Sequence, residues 1–239
     1  MEKIITYEDL RNFAYVNDKI VKMPIKGIVL NFFGLGCQAM YWDDDKYAKF
    51  FAENGILWVV PYNNPWAWMN KQAVDYTDEI IDLLIEKYEL PNDIKIVSSG
   101  GSMGGYSALL YTMKAKRTPI ACVADCPVCD LVYHFTERVD LPRTIYSALY
   151  HENCSLDEAL EKNSPYHLAS KMPKVNYHIF HCDKDSCVNI DKHSRAFVER
   201  MEECGHSITF DIVNDKDHCQ LTPEAEEKYL NYCKDEILK

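Results

Sequence analysis

The sequence predicts an α/β protein built on a mostly parallel, doubly wound sheet, with a short helical excursion over one edge. Three observations carry this. From residue 26 onward, short apolar runs alternate with longer amphipathic stretches, the pattern of strands buried on both faces and joined by crossover helices. A glycine-rich turn, Ser98-Ser99-Gly100-Gly101-Ser102-Met103-Gly104-Gly105, sits between one apolar run and a helix. The alternation breaks only once, in the polar, tyrosine-rich stretch from Asp130 to Met172. With 239 residues and no repeat, low-complexity tract or linker, the expectation is one domain over 1–239, with 130–172 as a cap or lid insertion.

Residues 1–25 are the least patterned, and Asn17-Asp18 suggests a short hairpin there. Lys26 to Phe33 reads as the first long strand, followed by a helix from Tyr41 to Asn54 that Gly55 closes. Ile56 to Val60 is a second strand, stopped by Pro61, and a helix runs from about Trp68 to Leu90 with Val74, Ile81, Leu84 and Tyr88 on one face. Asp93 to Val97 leads into the glycine turn and a helix to about Lys116; Pro119 to Ala124 is a fourth strand. After the excursion, strands at Val175 to Phe180 and Ser207 to Val213 alternate with helices at Asn189 to Cys204 and Pro223 to Leu238.

Composition narrows the function classes. There are 37 acidic and 26 basic residues, and the net charge of −11 argues against nucleic acid or an anionic membrane surface as partner. A small neutral substrate is the expectation. The N-terminal stretch Met1 to Asp9 has acidic residues where a secretory signal needs an apolar core, and no apolar run approaches a membrane span, so the expected location is cytoplasmic. The ten cysteines lack the density of a disulfide scaffold and are expected as thiols. The sequence is silent on oligomeric state.

The glycine turn carries the chemistry. Gly-x-Ser-x-Gly between strand and helix bends the backbone so tightly that only small residues fit two places either side of the serine. Gly100 and Gly104 fill those places, and Ser102 stands at the sheet's edge above a helix N-terminus. Phosphate cradles fit less well: no Gly-Lys-Ser/Thr follows, and Gly101-x-x-Gly104 lacks the dinucleotide spacing. A nucleophilic serine needs an imidazole to take its proton and a carboxylate to fix that imidazole's tautomer. In a parallel sheet both belong on loops after strands. The fifth strand is followed by His181-Cys182-Asp183-Lys184-Asp185, and the sixth by Asn214-Asp215-Lys216-Asp217-His218, which gives the chain order Ser102, Asp185, His218. The other histidines fall within strands, on helices, in the excursion or at the opposite edge.

These residues resemble the α/β-hydrolases, in the branch shared by prolyl-oligopeptidase-type peptidases, acetyl-xylan-type esterases and dienelactone-hydrolase-like proteins, from about Lys26 to the C-terminus. Asn163-Ser164-Pro165 running on to His181-Cys182-Asp183-Lys184-Asp185-Ser186-Cys187-Val188 is similar to the branch's Ser-Pro, strand, His-Gly-x-x-Asp-x-x-Val pattern. That likeness selects Asp185 over Asp183, with Cys182 replacing the usual glycine. Phe33-Gly34-Leu35-Gly36 resembles the oxyanion loop His-Gly-x-Gly with Phe for His, and implies a hole made by the backbone N–H groups of Leu35 and Met103. Dienelactone hydrolases proper use cysteine where this chain has Ser102. The resemblance therefore implies a carboxylic ester hydrolase working through an acyl-enzyme, without a cofactor. A serine peptidase comes second, because the chain carries no appended domain to restrict peptide access, and a non-hydrolytic binding protein of the same fold is a third possibility.

Trp66 and Trp68, in a proline-broken loop after the second strand, suggest a substrate wall, although tryptophans also anchor loops as packing. Cys37, Cys126, Cys129, Cys182, Cys187 and Cys219 all fall in loops at the same edge. Cys126-Pro-Val-Cys129 has the spacing of half a metal site, but no second ligand pair at matching spacing accompanies it, so small buried hydrophobes and no metal are the expectation.

Overall fold

The computed structural model describes residues 4–37, 40 and 43–239. Seven strands form one sheet: β1 (Ala14–Val16), β2 (Gly27–Phe32), β3 (Ile56–Pro61), β4 (Lys95–Gly101), β5 (Ala121–Asp125), β6 (Asn176–Cys182) and β7 (Ser207–Val213). Their spatial order is β1-β3-β2-β4-β5-β6-β7, and every pairing is parallel except that of β1 with β3. The β2–β4 pairing places the first long strand beside the one that ends in the glycine turn. Continuous apolar strands follow from burial on both faces: Ile28, Leu30 and Phe32 point into one core layer, and Val29 and its neighbours Ile56 and Trp58 into the other.

Helices fill both faces. Helix α1 (Lys46–Glu53) and the C-terminal α9 (Pro223–Leu238) cover one; α2 (Lys71–Lys87), α3 (Met103–Lys114) and α8 (Ala196–Glu203) cover the other. Their starts are chemically marked. The side chains of Asp45, Asn70 and Thr222 accept hydrogen bonds from the backbone of Ala48, Ala73 and Ala225. Gly55 after α1 has φ 74°, and a Cβ there would meet the Pro24 carbonyl at 2.9 Å.

Two expectations change. No hairpin forms at Asn17-Asp18: Ala14–Val16 adds antiparallel to the far edge of the sheet, and buried Asn17 bonds across to Ala48 O, Ile56 O and Trp58 N. The helix expected from Tyr41 begins at Lys46, capped by Asp45, and Tyr41 itself lies outside the described residues. The excursion between β5 and β6 is helical as expected: α4 (Leu131–Glu137), α5 (Leu141–Leu149), α6 (Leu156–Lys162) and α7 (Pro165–Leu168). A π-helical turn at Asp191–Arg195 precedes α8.

Candidate active site

Ser102 lies between β4 and α3 with φ 60° and ψ −126°, a conformation that costs an L-residue on the order of 1–3 kcal/mol. The fold holds it there. Its amide donates to Asp125 O at 2.9 Å, and its carbonyl accepts from Tyr106 N at 3.1 Å. The flanking glycines are sterically required. A Cβ at Gly104 would lie 2.1 Å from the Phe32 carbonyl, and one at Gly100 2.6 Å from the Gly104 backbone. The Ser102 side chain makes no capping bond to α3, so its hydroxyl is not spent on the helix.

The turn expected to supply an oxyanion hole is adjacent. A Cβ at Gly34 would sit 3.7 Å from Ser102 Cβ, which puts the Phe33–Gly36 turn beside the serine. Gly36 N donates to Pro65 O at 2.9 Å, and Phe33 stacks on Tyr62, tying this turn to the loop that carries the tryptophans. Leu35 follows Gly34 in this turn, and Met103 is the first residue of α3, where backbone N–H groups have no intrahelical acceptor.

The acid and the imidazole meet. His218 Nδ1 lies 2.7 Å from Asp185 Oδ2, the geometry in which a ring N–H donates to a carboxylate. The other Asp185 oxygen accepts the backbone N–H groups of Cys187 and Val188 at 2.8 Å each. Burial works against the Asp185 charge, but bonds from His181, His218 and Val188 N hold its carboxyl far below the usual carboxylate range. Burial likewise opposes charging His218, yet the Asp185 carboxylate outweighs it, and the imidazole's pKa lies above its ordinary value.

His181 is a residue that sequence reasoning set aside. It is fully buried at the end of β6, with Nε2 3.0 Å from Val188 O and 3.3 Å from Asp185 Oδ2, and Nδ1 2.7 Å from Ser194 Oγ. It thus grips the loop that presents the acid. Its place two residues before Asp183, in the segment already matched to the resemblance, was the available signal.

His218 Nε2, the nitrogen left free by Asp185, makes its hydrogen bond to Cys219 Sγ at 3.8 Å. Among the described residues it has no bond to Ser102 Oγ. The two are joined through a neighbour: the Cys219 sulfur packs against Gly101, 3.2 Å from where a Cβ would stand. Nucleophile–base contacts of this kind commonly close only around substrate.

The tryptophans separate. Trp66 is 43% exposed and, with Tyr62, Tyr76, Arg143 and His151, lines a cavity of about 670 Å³ between the loop after β3 and α5. Trp68 is 0% exposed, so the expectation that it touches substrate is corrected. Its indole N–H donates to Thr144 Oγ1 at 3.1 Å, and its ring packs edge-on against Tyr106 and His134. It is the anchor of the loop, and Trp66 is the exposed member of the pair.

A parallel sheet with a strained serine at a strand-to-helix turn, and an acid and a histidine on the loops after its last two strands, defines the α/β-hydrolase fold. The chain belongs to the prolyl oligopeptidase family, whose family pattern matches residues 63–234. Solved structures of similar fold include the Pyrococcus horikoshii acylaminoacyl peptidase, at 13% identity and TM-score 0.70, covering 90% of this chain and 37% of that one. The Agrobacterium tumefaciens S-formylglutathione hydrolase has 17% identity and TM-score 0.71, covering 94% and 88%. Porphyromonas gingivalis dipeptidyl peptidase 4 has 18% identity and TM-score 0.67, covering 94% and 33%. The chain thus spans about a third of the length of these peptidases. No curated protein matches it by sequence. Among the described residues no helix is long and apolar enough to cross a membrane.

Proposed function

We propose that this chain is a serine hydrolase that transfers the acyl group of a small neutral ester to water through an acyl-enzyme on Ser102. The observation that carries the reading is the 2.7 Å His218–Asp185 pair on the loops beyond β6 and β7, at the same sheet edge as the strained Ser102. In this mechanism Ser102 Oγ attacks the acyl carbon while His218 Nε2 accepts its proton, and Asp185 holds the imidazolium. The N–H groups of Leu35 and Met103 receive the oxyanion. His218 returns the proton to the leaving alcohol; a water then attacks the ester on Ser102, with His218 again as base.

Ester chemistry is the first reading, and the likeness of fold to the S-formylglutathione hydrolase over 94% of this chain supports it. Peptidase action is the second reading, and family membership supports it.

The test is hydrolysis of p-nitrophenyl esters from acetate to octanoate, a feruloyl ester and a peptidyl p-nitroanilide, by the protein and by Ser102→Ala. Ester turnover that disappears in Ser102→Ala, together with fluorophosphonate labelling of Ser102, is the expected result. Turnover of the anilide alone would transfer the assignment to a peptidase. No turnover and no labelling would leave a binding protein.

A further inference from the structure

We propose that Cys126, Cys219 and His218 form a site for a thiophilic divalent cation, typified by Zn²⁺, and that the ion switches the hydrolase off by taking the lone pair of His218 Nε2. The inhibitory part rests on the reading of His218 as the base; the site itself does not.

The two sulfurs and a ring nitrogen of His218 all lie within 4.8 Å of one another, and Cys219 Sγ is 3.8 Å from Nε2. Tetrahedral zinc with ordinary Zn–S and Zn–N bonds sets its ligand atoms about 3.6–3.8 Å apart, so the donors need only close slightly. The imidazole is already oriented. With Nδ1–H held by Asp185, a neutral ring carries its lone pair on Nε2, which is the carboxylate–histidine arrangement common around bound metals. Cys126 Sγ receives the backbone N–H groups of Cys182 and Cys219 at 3.4 Å each, which fixes the sulfur beside Cys219.

A second observation points to a cation. Asp125, 6% exposed, has a carboxylate oxygen within 4.8 Å of the Cys126 and Cys182 sulfurs, and its Oδ1 is buried without a hydrogen-bond partner among the described residues. A buried carboxyl oxygen without a donor is costly, and an ion held on Cys126 would stand beside this carboxyl. Access exists as well: exposed Cys219 lines, with Asp125, Gly101 and Tyr229, a cavity of about 290 Å³. Binding moves no electrons. The Cys126 and Cys219 thiols lose their protons to solvent, and two thiolates with a neutral imidazole balance the 2+ charge.

The sequence spacing had paired Cys126 with Cys129 and led to no metal. The structure parts them: the Cys129 thiol turns to Pro127 O, and Cys126 finds Cys219, 93 residues away. A second histidine–carboxylate group, His134–Glu137–His193, is closed to metal. His193 Nδ1 accepts the backbone N–H groups of Cys129 and Asp130 at 3.1 Å, so its proton sits on Nε2, facing Glu137 at 3.0 Å, and no lone pair remains there.

The test uses Co²⁺ as a spectroscopic probe in Ser102→Ala, where turnover plays no part, and Zn²⁺ inhibition in the native chain. One equivalent of Co²⁺ should give thiolate-to-metal charge transfer and tetrahedral visible bands, both displaced by Zn²⁺ and lost in Cys219→Ser and Cys126→Ser. Zn²⁺ should inhibit ester hydrolysis reversibly by chelator, and Cys219→Ser, measured against its own metal-free rate, should need at least about tenfold more Zn²⁺ for half-inhibition. Absence of the cobalt bands, or bands unchanged in Cys219→Ser, overturns the site. Bands with undiminished turnover remove the inhibitory role. Bands in a chain with no turnover leave the site standing and sink the hydrolase reading instead. Circular dichroism of both cysteine variants separates lost ligands from lost fold.

Discussion

At Ser102 the backbone conformation is set against the residue's own preference. A φ of 60° with ψ −126° suits glycine, and the serine is held there by the Asp125 and Tyr106 backbone bonds and the Phe32–Gly104 contact. Ser102→Gly and Ser102→Ala should therefore both abolish turnover but differ in stability. Relief of strain should leave the glycine variant about 1 kcal/mol more stable, after its larger unfolded-state entropy is counted. A thermal melt in which the alanine variant is the more stable would show that the elbow is unstrained. The two tryptophans make the same contrast between site and scaffold. Trp66→Ala should raise KM and leave the melting temperature in place; Trp68→Ala, which empties a fully buried site and removes the bond to Thr144 Oγ1, should cost about 3–5 kcal/mol. Equal effects on stability would remove the distinction. Residue identity alone could not tell these indoles apart, because the loop's path onto Tyr106 and His134 is a tertiary fact. The places of Ser102, Asp185 and His218 just beyond strand ends were readable because apolar runs reveal the strands. His181 was not, since a histidine closing a strand looks the same whether it packs or braces an acid.

Among the elements, the excursion is fastened to the sheet's loops by polar staples rather than by apolar contact alone. Glu137, the last residue of α4, accepts from His134 and His193 side chains on one oxygen and from Asn189 N, four residues past Asp185, on the other. Burial disfavours its charge, but these three donors hold its carboxyl well below the usual carboxylate range. Tyr106 OH to Asn163 O and Tyr166 N to Cys129 O bind α6 and α7 to the body in the same way. We read the 130–172 segment as a fixed wall on this basis. Glu137→Gln must turn an amide N–H₂ toward a group that also donates, and should cost about 1–3 kcal/mol. Hydrogen exchange should quicken at the Asn189 amide and through α4. Unchanged melting and exchange would mean that the staple carries no load. The helical character of this region was legible from its polar, aromatic composition; its attachment was not, because the partners lie more than 50 residues away in sequence. The three-residue strand Ala14–Val16 was missed for a different reason: it is too short to display a period, and its antiparallel place is decided by the free edge of β3.

For the molecule as a whole, alternation of runs made a parallel sheet legible, but strand order is fixed by packing and is absent from the pattern. One consequence of that packing is where the histidines lie. His134, His178 and His206 are buried against the sheet or excursion, and burial lowers the pKa of each below its ordinary value. Their contacts explain why they stay neutral. His178 is stacked on Tyr232 at 3.8 Å, and His206 Nδ1 is buried with no hydrogen-bond partner among the described residues. In the unfolded chain these rings take up protons near pH 6.5. Between that value and their lowered folded pKa values the unfolded state binds more protons than the native state, so stability falls as pH falls through this window. His218, whose pKa is raised, opposes the trend. The melting temperature should accordingly hold from pH 8 to 7 and drop progressively toward pH 5.5, well above the range in which exposed carboxylates titrate. Calorimetry at pH 6 in buffers of different ionisation enthalpy should register net proton uptake on unfolding. A flat melting profile across pH 7 to 5.5, or proton release on unfolding, would mean that these histidines are charged in the native protein and that the neutral packing described for them is wrong.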